Sequence, residues 1–164
     1  MSADGTITMQ AAELERYLHD HIPLSRALAV RVASVAPELV RLSAPLAPNL
    51  NHRHTAFGGS VASLAILAGW SWLLARLAGR GPVPRLVIQE ETVEYLAPVV
   101  AAFEANCPAP SEAAWRRFLQ ALDGRGRGRL ELRADVTSGG RVVARFRGRY
   151  VAIAAPDGGD RPAQ

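Results

Sequence analysis

The chain of 164 residues carries 19 basic and 15 acidic side chains, a net charge of +4 and one cysteine. This length suits a single domain, and one cysteine excludes an intrachain disulfide, so a cytoplasmic location is expected. Every basic residue is arginine. A basic surface favours acidic partners but does not choose among nucleic acid, anionic lipid and acidic proteins.

The first elements along the chain are predicted to be one helix and two strands. Apolar residues recur at helical spacing over 9–19, where Thr8 is the predicted N-cap and Pro23 is predicted to end the helical region. Alternating apolar residues predict strands at 29–36 and 38–44, on either side of a proline turn.

A long apolar helix is predicted from Gly58 to about Leu77, after a polar loop over 45–56. It is apolar on nearly all sides, so we expect it to be buried on nearly all sides. Its apolar stretch at 61–75 is shorter than the roughly 20 residues that a membrane-spanning helix needs. No membrane association is therefore predicted.

The second half of the chain predicts four strands and one short helix. The predicted strands lie at 86–95, 99–107, 130–136 and 142–153, and the helix lies at 112–122 with Ser111 as its N-cap. The turn Ser138-Gly139-Gly140 supplies the positive φ of a tight hairpin. An antiparallel sheet that wraps around one apolar helix satisfies this order, so an α+β fold is predicted. The domain is predicted over 9–154, between disordered tails at 1–8 and 155–164.

The segment before the long helix is the most informative for function. Gly58 and Gly59 allow close approach of a ligand, and the unpaired N–H groups of a helix start attract an anion or an oxyanion. Asn51 lies just upstream and offers a carboxamide donor. These groups suit the charge that develops on a thioester oxygen. The alternative is that the glycines serve only tight helix–sheet packing.

The four histidines form two His-x-His pairs, His19/His21 and His52/His54. A metal site would need further ligands beside either pair, and the sequence offers too few, so no metal is predicted. His19 and His21 suit the last turn of a helix. For His52 two interpretations stay open, an active-site hydrogen bond and support of the loop.

Other polar residues also have two interpretations each. Ser63, one turn into the long helix, either holds a water molecule or bonds back to its own helix. Gln89, Glu90 and Glu91 lie in a predicted strand beside that helix, where a glutamate is either a general base or a solvated surface residue.

Arg125 and Arg127 belong to a run in which arginine and glycine alternate. Such a run either binds phosphate or is simply a solvated basic turn. Aromatic residues are absent from the run, so it lacks the stacking platform that single-stranded nucleic acid requires. We therefore predict no nucleic-acid partner.

Several stretches together carry a resemblance to a known family: 17–24, 44–70, 95–99 and 149–152. The chain resembles hotdog-fold thioesterases, and among them the family of the YiiD C-terminal domain, over about 13–154. The resemblance implies a sheet wrapped around a central helix and a homodimer formed edge to edge, with pairing into tetramers left open. It also implies an acyl thioester, carried on acyl carrier protein (ACP) or coenzyme A (CoA), at the subunit interface, and no cofactor other than this carrier.

The chain departs from the phenylacetyl-CoA type of these thioesterases at two positions. The resemblance gives that type the pattern Asn, five residues, His-Gly-Gly, and an Asp seven residues after the second Gly. Asn51, Gly58 and Gly59 match this pattern. Phe57 stands in place of the His, and Ile66 stands in place of the Asp. Hydrolysis therefore lacks its usual carboxylate, whereas decarboxylation of a malonyl thioester needs no activated water.

The resemblance and this departure favour decarboxylation of malonyl-ACP to acetyl-ACP, which starts fatty acid synthesis. In this hypothesis Asn51 and the amides of Gly58 and Gly59 hold the enolate oxygen, and Thr55 or His52 orients the substrate. The predicted substrate-binding residues are Ser60, Ser63, Gln89, Glu90, Arg125 and Arg127. The alternatives are an acyl-CoA or acyl-ACP thioesterase, in which a glutamate is the base, and a non-catalytic acyl-carrier binding protein.

Overall fold

The computed structural model describes residues 9–155, so Thr8 and the predicted tails, apart from Ala155, lie outside the described residues. The helices are α1 (Ala11–His21), α2 (Pro23–Ala27), α3 (Gly58–Leu77) and α4 (Glu112–Arg125). The strands are β1 (Arg31–Ala36), β2 (Leu39–Ala44), β3 (Arg85–Tyr95), β4 (Phe103–Pro108), β5 (Arg127–Ser138) and β6 (Arg141–Ile153).

The six strands form one antiparallel sheet in the order β1-β2-β4-β5-β6-β3. Consecutive strands β3 and β4 are not neighbours, because β3 pairs with β6 at one edge and β4 lies between β2 and β5. The fourth strand begins at Phe103 rather than at Val99, since the Val99 carbonyl accepts a hydrogen bond from Ala56 instead.

The first helix differs from its prediction at both ends. It begins after Gln10, whose amide donates to the Glu13 carboxylate at 3.4 Å. Pro23 does not end the helical region, because it occupies the first turn of α2, where its missing N–H costs nothing. Ser111 is confirmed as the cap of α4, accepting from the Ala114 amide at 3.2 Å.

Helix α3 is the centre of the core, with 13 of its 20 residues buried. The segment Gly58–Arg80 is long and apolar enough to cross a membrane, but 67% of its 18-residue apolar window is buried inside the protein, as in a core helix. One stripe of α3 stays only half-buried, and it follows helical spacing. We call this the open stripe; it consists of Gly59, Ser63, Ile66 and Trp70.

Strand β3 runs beside α3 in the opposite direction. At one end the Tyr95 hydroxyl donates to the Gly58 carbonyl at 2.9 Å, and at the other the Trp70 indole donates to the Leu86 carbonyl at 3.2 Å. The open stripe therefore lies beside β3, the edge strand of the sheet. The start of α3 lies near the end of β3.

Candidate active site at the start of the central helix

Asn51 organises the loop that leads into α3. Its side-chain oxygen accepts from the amides of Arg53 at 2.8 Å and Thr55 at 3.2 Å, and its amide nitrogen donates to the Thr55 hydroxyl at 2.8 Å. A longer bond of 3.4 Å joins the same nitrogen to the Ala56 carbonyl. The carboxamide is thus engaged by its own loop, and its direct contact with a substrate stays a prediction.

Buried backbone contacts anchor the same loop on both sides. The Phe57 amide donates to the Asn49 carbonyl at 2.7 Å, and the Ala56 amide donates to the Val99 carbonyl at 2.8 Å. Asn49 is itself buried, and its side-chain nitrogen donates to the Leu28 carbonyl at 3.0 Å. These contacts fix the point at which α3 starts, and the sequence analysis did not single out Asn49.

Gly58 and Gly59 are the first two residues of α3, and their amides donate to no acceptor among residues 9–155. The next two amides, of Ser60 and Val61, donate to the Phe57 carbonyl at 2.9 and 3.2 Å. Two neighbouring N–H groups are therefore available at the positive end of a 20-residue helix.

The two glycines differ in what packing demands of them. A Cβ atom on Gly59 would lie 2.4 Å from the ring of Phe57, whereas a Cβ atom on Gly58 would meet the Tyr95 ring at 3.4 Å, an ordinary contact. The exposed Phe57 ring would have to move to admit a side chain at position 59, and packing leaves glycine at position 58 unexplained. The purely structural interpretation of the Gly-Gly pair is insufficient by itself.

A cavity of about 370 Å³ opens beside Gly58. Thr55 and Val61 line it together with the chain segment 95–99. Its lining is largely apolar and open, since Tyr95 is 55% exposed and Leu96 is 42% exposed. Exposed apolar groups around a cavity are typical of a ligand site or a subunit interface.

Tyr95 is a site residue that the analysis of single motifs missed, although it begins one of the stretches that carry the family resemblance. Its hydroxyl bonds to the Gly58 carbonyl. Burial raises the pKa of this hydroxyl above its ordinary value of 10.0, and the charge of Glu91 raises it further. Tyr95 is therefore protonated and able to donate at neutral pH.

The remaining residues predicted near the glycines occupy different environments. Ser60 is buried, and Ser63 lies half-buried on the open stripe. His52 is exposed on the loop and makes no hydrogen bond to a described residue. Within one protomer, only Thr55, Gly58 and Gly59 of the predicted catalytic residues border the cavity or present free donors beside it.

Gln89 and Glu90 lie in β3, and their contact with a substrate stays a prediction. Glu90 pairs with Arg149 at 2.8 Å, and Gln89 accepts from Arg129 at 3.4 Å, on the face of the sheet that points away from α3. Glu91 has Gly148 opposite it, on the face that carries the buried Tyr150. Glu91 is thus the glutamate on the side of the central helix.

Within one protomer, Arg125 and Arg127 lie far from the glycines, so their contact with a substrate stays a prediction. Arg127 and Arg85 both lie opposite Ile153, whereas Tyr95 lies ten residues along β3, opposite Ala144. Ten strand residues span about 33 Å. Both arginines are exposed, at the other end of the sheet from the glycines.

Over residues 9–155, no three His, Cys, Asp or Glu side chains are grouped as metal ligands would be. His19 bonds through Nε2 to the Val30 carbonyl, and His21 bonds through Nδ1 to the Tyr17 carbonyl, each at 2.9 Å. These two side chains therefore support the packing of α1.

A larger cavity, of about 570 Å³, lies at the far end of α3 between Trp72 and Trp115. The guanidinium of Arg76 stacks over both indole rings there, at 5.8 and 5.3 Å. Trp72 is 14 residues from Gly58, about 21 Å along the helix. None of the predicted site residues lines this cavity, so the smaller cavity beside Gly58 is the better candidate despite its size.

Three solved structures show the fold. A protein of unknown function from Chlorobaculum tepidum is 26% identical, with a TM-score of 0.84 over 94% of this chain and 100% of its own. A protein from Shewanella oneidensis, described as a "putative thioesterase", is 28% identical, with a TM-score of 0.77 over 87% of this chain and 96% of its own. A "probable thioesterase" from Pseudomonas aeruginosa is 22% identical, with a TM-score of 0.76 over 91% and 99%.

The α+β sheet wrapped around a long helix is shared with these proteins, and the predicted hotdog fold is confirmed. A family described as "Putative thioesterase (yiiD_Cterm)" matches residues 11–154, nearly all of the described chain. The chain belongs to this YiiD C-terminal thioesterase family.

Proposed function

We propose that this chain is an enzyme that acts on acyl thioesters of ACP or CoA, and that it decarboxylates a malonyl thioester to an acetyl thioester. The observation that supports this is the pair of free amides of Gly58 and Gly59 beside an open apolar cavity. A thioester oxygen that accepts from both amides is stabilised most when it carries charge, which is the condition for catalysis.

The proposed reaction uses this stabilisation in one step. The bond between the malonyl carboxylate and C2 breaks, carbon dioxide leaves, and the electron pair moves into the enolate, whose oxygen faces the two amides. A proton then adds at C2 and gives the acetyl thioester. The Thr55 hydroxyl lines the cavity and is held by Asn51, so it is the group we assign to orienting the substrate.

Two features favour decarboxylation over hydrolysis. The open stripe of α3 carries Ser63, Ile66 and Trp70, so no carboxylate projects from it to activate water. The cavity has an apolar rim that includes the exposed Leu96 and its neighbours Ala97 and Pro98. An apolar rim destabilises the malonyl carboxylate relative to neutral carbon dioxide, and it thereby lowers the barrier to its loss.

Thioester hydrolysis is the second candidate, because Glu91 lies on the helix side of β3 and its charge acts on the pKa of Tyr95. Glu91 would be the general base for an attacking water molecule. Glu90, on the opposite face and paired with Arg149, provides a matched control.

We also propose that two chains pair through β3, edge to edge. Strand β3 has 11 residues and, among residues 9–155, only one neighbour in the sheet, and no described element covers the open stripe beside it. Antiparallel pairing of the two β3 strands would place the start of the partner's β3, at the partner's Arg85, beside Tyr95. The partner's Arg127 would then lie about 15 Å away laterally, three strand spacings of about 4.8 Å, so any phosphate contact of this arginine would be made across the dimer.

Product analysis tests the reaction. Purified protein incubated with malonyl-ACP should release carbon dioxide and leave acetyl-ACP. Free malonate and ACP thiol would instead establish hydrolysis, in which case Glu91→Gln should abolish activity and Glu90→Gln should preserve it. Tight ACP binding with no turnover would make the chain a non-catalytic carrier-binding protein.

Mixed dimers test the role of the arginines. One variant is Gly59→Val, and the other combines Arg125→Ala with Arg127→Ala. If the arginines act on the partner's site, a mixed dimer has one intact site and regains up to half of the wild-type activity. If they act within one protomer, mixing restores nothing. Light scattering on the same samples reports whether dimers form and whether they pair into tetramers.

A further inference from the structure

Tyr95 contacts the peptide unit that carries one of the two free amides. Its hydroxyl donates to the Gly58 carbonyl at 2.9 Å. The Gly58 carbonyl and the Gly59 N–H belong to the same planar peptide. One end of this peptide is therefore held by Tyr95, while the other end presents the Gly59 N–H at the start of α3, where no described group accepts it.

The start of α3 is intrinsically weak. Its N-cap position is occupied by Phe57, which supplies no side-chain cap, and its first two residues are glycines. An uncapped start lacks the stabilisation that a capping side chain gives, and glycine has the greatest backbone freedom of any residue. The Gly58–Gly59 peptide is therefore held less firmly than a peptide in the middle of α3.

We propose that Tyr95 is a positioning residue, whose hydroxyl fixes the plane of the Gly58–Gly59 peptide and strengthens the Gly59 N–H as a donor to the thioester oxygen. This inference rests on the function proposed above. A carbonyl that accepts a further hydrogen bond polarises its own peptide, so the N–H of that peptide becomes a better donor. Because the Tyr95 hydroxyl bonds to the Gly58 carbonyl, its effect on the thioester oxygen is transmitted through the Gly58–Gly59 peptide.

The backbone of Tyr95 is well placed for this role. It is the last residue of β3, and it lies opposite Ala144 of β6. The next amide, of Leu96, donates to the Val143 carbonyl at 2.8 Å. The ring also packs on Gly58 at contact distance, so the side chain is held although it is 55% exposed.

Ionisation of Tyr95 would reverse its effect, because a phenolate cannot donate to a carbonyl. Glu91 on its own strand raises its pKa, and burial raises it more. The residues that meet it from α3 and β6 (Gly58 and Ala144) carry no charge. Thr55 of the preceding loop lines the same cavity and is neutral, and the charged Arg53 is exposed on that loop.

Tyr95→Phe is the test, because it keeps the ring that packs on Gly58 and removes only the hydroxyl. We expect kcat on the malonyl thioester to fall about 5- to 10-fold with KM within about 2-fold, as for the loss of one hydrogen bond used in the transition state. The wild-type kcat should also fall at alkaline pH, above the ordinary tyrosine pKa, and this alkaline decline should be smaller in Tyr95→Phe.

Tyr17→Phe is the matched control. Tyr17 stacks on His21 and Trp70, far from the glycines along α3, and its hydroxyl makes no hydrogen bond to a described residue. This variant should keep the wild-type kcat and the alkaline decline. A Tyr95→Phe enzyme with unchanged kcat and an unchanged pH profile would overturn the positioning role while leaving the proposed reaction intact.

A second measurement does not depend on turnover. In a ¹⁵N–¹H spectrum, Tyr95→Phe should move the Gly59 amide proton upfield, and Tyr17→Phe should leave it in place. If wild-type protein processes no thioester, the proposed function fails, and this spectrum still decides whether Tyr95 controls the Gly59 amide. An unmoved Gly59 resonance in Tyr95→Phe would overturn the inference.

Discussion

The hydroxyl of Tyr150 donates a hydrogen bond of 2.7 Å to the carbonyl oxygen of Ile66, in the middle of α3. Tyr150 lies on β6 and is fully buried, so this bond ties the sheet to the central helix. The ring fits because residue 69 is glycine: a Cβ atom there would lie 2.4 Å from the Tyr150 hydroxyl oxygen. The open stripe keeps its position beside β3 partly through this contact.

Gly69→Ala should therefore destabilise the fold, although alanine normally favours a helix. Overpacking of a buried site costs about 1–3 kcal/mol, which exceeds the gain in helix propensity of about 1 kcal/mol. Gly124→Ala in α4 is the matched control, since nothing lies within 4 Å of its added Cβ atom. Urea unfolding should show a lower free energy of unfolding for Gly69→Ala and an equal or higher one for Gly124→Ala. A stabilised Gly69→Ala protein would contradict the packing.

The buried thiol and phenol predict a loss of stability at alkaline pH. Burial raises the pKa of Cys107 from its ordinary 9.0 to about 12, and it raises the pKa of Tyr150 well above 10.0. The unfolded chain thus ionises these groups at lower pH than the folded protein does. Their contribution to stability is complete below about pH 9 and is lost as the pH rises toward their folded values.

Two measurements check this dependence. The free energy of unfolding of Cys107→Ala should decline less between pH 9 and 11 than that of the wild type. In the native protein at pH 8, Cys107 should not react with a disulfide reagent, because it is buried and remains a thiol. Rapid labelling of the native protein would show that the core opens at β4.

Local sequence patterns were enough to predict several helices, strands and turns. They did not predict which distant strands pair in the sheet. The apolar pattern predicted α3, and the Gly139-Gly140 turn between β5 and β6 was found because its positive φ values of 58° and 78° need glycine. The pairing of β3 with β6 was not predicted, since it joins segments far apart in the chain. The fold family was predicted from the resemblance to a known family. Such a resemblance implies the pairing of distant strands, which no single motif encodes.

A single irregularity decides which glutamate of β3 lies on the side of the central helix. Leu86 and Ile88 face the core, so strict alternation would put Glu90 on the same face. The register shifts between Ile88 and Glu90, and this bulge turns Glu91 and Tyr95 toward α3 instead. Sequence alone gave no sign of the extra residue, so the Tyr95 contact with Gly58 could not be anticipated either.

Asn51 was predicted to bind the thioester oxygen, and its hydrogen bonds within the loop lead to a different expectation. Asn51→Asp keeps an oxygen that accepts from the Arg53 and Thr55 amides, and the Thr55 hydroxyl can reverse its bond and donate to that oxygen. Asn51→Ala loses all of these contacts.

If Asn51 acts by holding the loop, Asn51→Asp should retain kcat within about 3-fold of the wild type. Asn51→Ala should lose at least about 10-fold and unfold at a lower temperature, because one side chain now makes three short hydrogen bonds worth about 1 kcal/mol each. If Asn51 instead donates directly to the enolate oxygen, the carboxylate of Asn51→Asp would repel that charge, and this variant would be the less active of the two. Steady-state kinetics on a malonyl thioester, with melting temperatures measured alongside, separates the two roles.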